Sequence, residues 1–342
     1  MIKKRNLDPS LIQWVMSQTG LGPGIGELQY VAPASSATSQ YRTQLQSMGV
    51  NEVHLLPSAA EAKMVAYRND VMLVAPGTYT EAATLTWGKS QTHLLGIGNP
   101  TWRQGGKTRI QTTVEAATAT IDVTASGVFF GGLNISQNGA FAACVTGLRL
   151  SSTYFSARKL DIRGFLQSAV AAVEGASCLE FAHGSSYGFG STFEDCNIGT
   201  MSGANRTATG AACNGVIYFA TSSQNGSPGA YVEFHNSRIL SRCEDAGGAM
   251  VKVLAATWGM DRLVWWNNCL FANYWENYAD NLDGAFYFDA TDHASGKMLL
   301  TNCHLAGIDQ WQTQDCADLY ATMPIVGLGG GIEREPNAGT GS

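Results

Sequence analysis

The densest cluster of chemistry-bearing residues in this chain is Trp275-Glu276-Asn277-Tyr278-Ala279-Asp280-Asn281-Leu282-Asp283. Three carboxylates, Glu276, Asp280 and Asp283, sit beside two rings, Trp275 and Tyr278. Carboxylates supply the acid and base of glycosidic chemistry, and rings stack on sugar faces. The same stretch also reads as a solvated loop whose rings pack on the protein body or at a subunit contact, and this plainer reading is preferred. Glu194-Asp195 and Glu244-Asp245 are weaker acidic pairs. His93, His235, His293 and His304 are scattered over distant segments and read as surface or loop residues. Cysteines at 144, 178, 196, 213, 243, 269, 303 and 316 show no CxxC and no Cys/His zinc spacing. They read as reduced, mostly buried thiols, and neither a metal nor another cofactor is expected.

The elements that must position these residues follow from the patterning. Asp8-Pro9 is a helix start, with Leu11, Trp14 and Val15 on one face and Gly20 as the stop. Four glycines and a proline between Gly20 and Gly26 make a hinge, so residues 1–57 read as an arm with a further helix near 38–48. A short amphipathic helix on a leash cannot bury Trp14 alone and needs another surface. Ser58-Ala59-Ala60-Glu61 has the form of a capping box and predicts a capping helix over 58–70. Val71 to Glu81 reads as strand, Pro-Gly turn, strand, and from there to about 310 no helical period appears.

Instead, a unit repeats. Phe193-Glu194-Asp195-Cys196-Asn197-Ile198 matches Phe234-His235-Asn236-Ser237-Arg238-Ile239. Trp266-Asn267-Asn268-Cys269-Leu270-Phe271 and Leu300-Thr301-Asn302-Cys303-His304-Leu305 follow the same template. Phe155–Leu160 and Val128–Leu133 are weaker copies, and the closing apolar residues lie 27 to 41 residues apart. A second, shorter strand precedes each copy, as at Thr120 to Val123 or Leu148 to Leu150. Such a period means a solenoid. Asn and Asp tolerate the left-handed conformation, so Asp195, Asn236, Asn268 and Asn302 form a ladder of one-residue corners. The next residue then points inward, making a column of Cys196, Ser237, Cys269 and Cys303, read as small core side chains. The fold expected is all-β: a single-stranded, right-handed parallel β-helix over 71–310, of eight or nine coils at about 4.8 Å. Residues 311–342, including Gly329-Gly330-Gly331, read as a C-terminal cap and loose tail.

These repeats, with Val74-Ala75-Pro76-Gly77-Thr78-Tyr79-Thr80-Glu81 and Leu94-Leu95-Gly96-Ile97-Gly98, resemble the pectin-lyase-like superfamily. The resemblance covers about residues 58–310 and is specific for fold. It is weak for activity, because the superfamily hosts lyases, hydrolases, esterases, phage tailspikes and inert virion proteins. The Gly-His-Gly and paired aspartates of polygalacturonases, the calcium cluster of pectate lyases and the pectin-esterase pattern carry over to no position here.

Composition narrows the function. Charged residues make up 14% of the chain and 39 of 342 residues are Gly, which excludes a charged bundle, a coiled coil or a disordered tail. With 21 basic against 27 acidic residues there is no basic excess, so no nucleic acid is expected as partner. No apolar run approaches the roughly 20 residues of a membrane span. The basic start Lys3-Lys4-Arg5 is followed by Asp8 and Pro9 rather than an apolar run, so synthesis in a host cytoplasm is expected. The expected function is a non-catalytic structural protein of a bacteriophage virion. It would be a homotrimeric capsid decoration or head-surface protein, docked on the major capsid protein or another virion component through Leu11, Trp14 and Val15. The trimer is implied by the resemblance. The alternative is a tailspike-like depolymerase, with Glu276, Asp280 and Asp283 as acids and bases and Trp275 and Tyr278 on a host surface glycan.

Overall fold

The computed structural model describes residues 26–34, 52–98, 107–112, 117–137, 146–164, 176–182, 188–199, 215–220, 231–241, 249–253, 262–273, 282–288, 296–312, 319–325 and 329–334, and helical positions 42, 43, 45 and 47. Among these the chain is a parallel β-helix with three sheets of 8, 12 and 8 strands. Each coil visits them in the same order. Ala119–Val123 lies in the first sheet, Phe129–Gly131 in the second and Asn134–Gln137 in the third, and the next coil repeats the path one strand over.

The backbone explains why these residues turn where they do. The bend from second to third sheet is a left-handed residue in six described coils: Lys159, Asp195, Asn236, Asn268 and Asn302 have φ between 51° and 54°, and Gly132 has 69°. The expected corner ladder is therefore present. The corner amides donate to carbonyls of the following coil, as Asp195 N does to His235 O (3.1 Å) and Asn236 N to Asn267 O (3.0 Å), except that Asn302 N donates to the Thr322 hydroxyl (3.0 Å). A second left-handed row, not expected, opens the second sheet at Asn69, Gln91, Gly127, Tyr154, Gly190 and Tyr231. Lys, Gln and Tyr occupy these corners although their Cβ opposes the conformation by about 1–2 kcal/mol, so tertiary pairing overrides local preference there.

Register corrects the two weakest repeat copies. Ala157 pairs with Phe193, and Ile162 with Ile198, so the coil's true copy is 157–162 rather than Phe155–Leu160. Likewise Ile135 pairs with Ile162, which moves the copy from Val128–Leu133 to 130–135. Both errors are two residues long. A shift of two leaves the inward face unchanged, so the apolar pattern alone cannot detect it.

The core is one continuous stack inside the coils. Phe193 and Phe234 stack at 4.8 Å and 10°, and Phe234 and Trp266 at 3.9 Å and 5°. A smaller apolar cluster covers the outer face of the second sheet at the N-terminal end, where Leu45 packs with Tyr30, Val53, Leu73 and Leu95.

Both boundaries differ from expectation. The second sheet does not begin at Val71. Leu28–Val31 pairs in parallel with Val71–Val74, and Val53–His54 pairs outside it. Strands of two to four residues are too short to show alternation in the sequence. The helix spans only Pro57–Glu61, with no side-chain cap bond. Ser58 is drawn instead to the buried Glu81, which accepts from its amide (2.9 Å) and hydroxyl (2.7 Å). Glu61 accepts from Gly88 N (3.1 Å), so the capping box is replaced by bonds to the first coil. Beyond the helix, Asp70 accepts from Val65 N (2.8 Å), Glu27 N (2.8 Å) and the Arg68 guanidinium, tying the cap to the strands below.

At the other end, Ile308–Gln312 is an eighth strand of the first sheet and Leu319–Ile325 extends the second. Gly329–Arg334 is not a loose tail. It pairs antiparallel with Leu319–Ile325 and covers the open parallel edge. Leu11, Trp14 and Val15 lie outside the described residues, as do 335–342.

Candidate functional site

The acidic cluster read from sequence is only partly described. Trp275, Glu276, Tyr278 and Asp280 lie outside the described residues, and Asp283 sits in the strand Leu282–Phe288 of the first sheet. Asp195, Asn236, Asn268 and Asn302 are corners, as expected. His93 is not a surface residue: it is 3% exposed, with neither ring nitrogen hydrogen-bonded. Burial lowers its pKa to about 4, against a smaller opposing pull from Asp70. His304 is exposed, His235 lines an outer wall, and His293 lies outside the described residues.

Two outer faces gather chemistry that the reading of the sequence did not assemble. On the first sheet, Asp122 pairs in register with Arg149, Arg149 with Glu180, and Glu180 with Tyr218. Tyr218 then pairs with Lys252, and Lys252 with Tyr287. Inward neighbours on both sides of each member force this column outward. The signal lay in the sequence as one polar residue between two apolar ones: Ile121-Asp122-Val123, Leu148-Arg149-Leu150, Leu179-Glu180-Phe181, Ile217-Tyr218-Phe219, Val251-Lys252-Val253 and Phe286-Tyr287-Phe288.

The column's charges are mutually engaged. Ser151 donates to Asp122 Oδ1 (2.8 Å), Thr146 donates to Glu180 Oε2 (2.9 Å), and Arg149 Nε lies 3.6 Å from Glu180 Oε1. Lys252 Nζ stands 5.4 Å from the centroid of the Tyr287 ring. Burial raises the pKa values of both Asp122 and Glu180, against the opposing pull of Arg149. Two rungs, about 9.6 Å of backbone, separate the two carboxylates. That arrangement holds two protonatable acids around one guanidinium.

On the second sheet, Glu233, His235, Trp265, Asn267 and Thr301 form a linked patch. His235 Nε2 lies 2.9 Å from Glu233 Oε2, and Asn267 Nδ2 donates to His235 Nδ1 (3.4 Å). Trp265 Nε1 donates to Thr301 Oγ1 (2.8 Å), whose hydroxyl donates to Asn267 Oδ1 (3.0 Å). One and two coils back, Glu194 and Arg158 Nε lie 3.4 Å apart. A cleft of about 290 Å³ lies at the neighbouring corner, lined by Lys159, Asp195, Asn197, Asn236 and Arg238 among others. Among the described residues no group of His, Cys, Asp and Glu is arranged to hold a metal ion. No described helix is long and apolar enough to cross a membrane.

No family model matches the sequence, and no curated protein does. Solved structures do match in shape. A pectin methylesterase in complex with a hexasaccharide aligns with TM-score 0.52 and 14% identity over 83% of this chain and 80% of its own. Pectin methylesterase PemA from Erwinia chrysanthemi aligns with TM-score 0.51 and 13% identity over 84% and 81%. ORF18 of Geobacillus virus E2 aligns with TM-score 0.40 and 12% identity over 80% and 59%. At such identity the esterase likeness establishes the fold and nothing of the chemistry.

Proposed function

We propose that this right-handed, pectin-lyase-like parallel β-helix is a non-catalytic structural protein of a bacteriophage virion. In this reading it decorates the capsid as a homotrimer and docks on the major capsid protein or another virion component through the arm carrying Leu11, Trp14 and Val15. The observation that carries it is how the outer walls use their ionisable groups. Arg149 lies against Glu180, Arg158 against Glu194, Arg163 against Asp161 and Arg68 against Asp70, each within one coil or between adjacent coils. The first two pairs link adjacent rungs and the last two lie within one coil, and cations engaged in this way do not stand ready for a substrate. The test is to purify the full chain, measure its mass in solution, and incubate it with phage shells lacking it. A trimer that saturates defined shell positions supports the reading; a monomer that does not sediment with shells refutes it.

The second reading is a glycan-processing spike, and the observation favouring it is the raised pair Asp122 and Glu180 beside Arg149. Release of new reducing ends from host capsule or lipopolysaccharide, abolished by Asp122→Asn with Glu180→Gln or by Glu276→Gln with Asp283→Asn, would establish it.

A further inference from the structure

The inward column behind the corners contains two thiols on neighbouring rungs. Leu270 pairs with His304 in parallel register, which sets the preceding residues, Cys269 and Cys303, side by side one rung apart. A rung of about 4.8 Å falls inside the 4.4–6.8 Å range of Cα separations that a disulfide spans. The side chains point the same way. Cys269 Sγ lies 3.5 Å from Asn267 O, and Cys303 Sγ lies 3.5 Å from Trp266 O, the carbonyl just before it in the chain. The two thiols also hydrogen-bond each other, which lowers the pKa of Cys269 and raises that of Cys303. Cys269 is 1% exposed, whereas Cys303 is half-buried, so the pair has one member that solvent reaches.

The other described thiols differ. Cys196 has the Ser237 hydroxyl on the next rung, donated to by its own amide at 3.1 Å, and burial pushes its thiol up to about 12. Cys178 is buried on the first sheet, in another column.

We infer that Cys269 and Cys303 form an oxidation site, closing into a disulfide that staples the last two corner rungs when the protein meets a low-molecular-weight disulfide. The sulfur of Cys303, the member that solvent reaches, attacks the oxidant RSSR while the neighbouring Cys269 thiolate accepts its proton, forming a mixed disulfide and releasing one RS⁻. The sulfur of Cys269 then attacks the Cys303 sulfur, forming the protein S–S bond and releasing the second RS⁻. Two protein thiols are oxidised, RSSR is reduced to two RSH, and both thiol protons pass to the released RS⁻ groups. The inference stands independently of the virion reading. On that reading, however, transfer from a reducing cytoplasm to an oxidising medium at lysis would supply the trigger.

The test incubates the native full-length protein with oxidised glutathione, blocks remaining thiols, and counts them after unfolding. The chain has eight cysteines, and loss of two reactive thiols is expected, to six. Trypsin should then yield a reducible species joining peptides 263–297 and 298–334, with fragmentation placing the bond at Cys303 rather than Cys316. Cys303→Ser should restore the missing thiol at position 269, and Cys196→Ser should leave the linkage intact. Eight unchanged thiols, a bond at Cys316, or a persistent glutathione adduct on Cys303 without closure would each overturn the inference.

Discussion

The side-chain amide of Asn268 donates to Asn236 Oδ1 at 2.8 Å, one coil away, while both residues hold the left-handed corner conformation. The ladder thus serves two separable purposes, conformation and stacking. Asn268→Ala loses both and should destabilise the rod by about 1–2 kcal/mol. Asn268→Gly keeps the conformation and loses only the bond, so it should cost clearly less. Denaturant titration of both variants measures the split, and equal losses would remove the conformational argument.

Tyr67 makes the converse case. It is 73% exposed at φ 63°, where its Cβ is unwelcome. Tyr67→Gly should therefore stabilise the protein by about 0.5–1 kcal/mol despite removing an aromatic ring. A lowered melting temperature would show that the ring makes a contact that matters more.

Trp266 lies between Phe234, stacked at 3.9 Å, and Phe286 at 5.8 Å. Trp266→Ala should cost about 3–5 kcal/mol, because parallel rungs above and below cannot collapse into the gap. Trp265→Ala, on the outer wall, should cost much less. Comparing the two by thermal melting tests the inward and outward assignment directly.

His93 predicts a dependence on acidity. Its folded pKa, about 4, lies below its ordinary value of 6.5, so above pH 6.5 both folded and unfolded forms are neutral there. Between 6.5 and 4 the unfolded chain binds a proton that the folded chain refuses, so stability falls as pH falls. The loss amounts to about 3 kcal/mol at most. His93→Gln should flatten that part of the stability–pH curve, and an unchanged slope would assign the acid sensitivity elsewhere.

Arg149 stands between two carboxylates whose pKa values burial already raises. Arg149→Leu should destabilise by about 1–2 kcal/mol at pH 7, a value tempered by the partial exposure of the guanidinium. Without the cation the folded state favours the protonated acids still more. The deficit relative to the parent should therefore shrink as pH falls toward the usual carboxylate range.

Much of this architecture was legible because one rule repeated. Asp195, Asn236, Asn268 and Asn302 announce corners by residue type, and Phe193, Phe234 and Trp266 announce the inner stack by position. Lys159 and Gly132 hold the same corner without that residue type, so apolar spacing alone places their coils two residues early. Leu28–Val31 and Val53–His54 were too short to carry a period, and Ser58 was claimed by Glu81 across 23 residues rather than by its local partner. The Asp122–Arg149–Glu180 column was hidden for another reason. Each coil contributes only one of its members, and the chemistry exists only when coils stack.

Cryo-electron microscopy of the intact phage particle tests most directly whether this rod is a virion part. β-Helical rods in threes at fixed positions on the shell, their N-terminal arms against the capsid protein, are expected. A particle carrying no such density, or carrying it only at the tail tip with glycan bound along the outer wall, would contradict it.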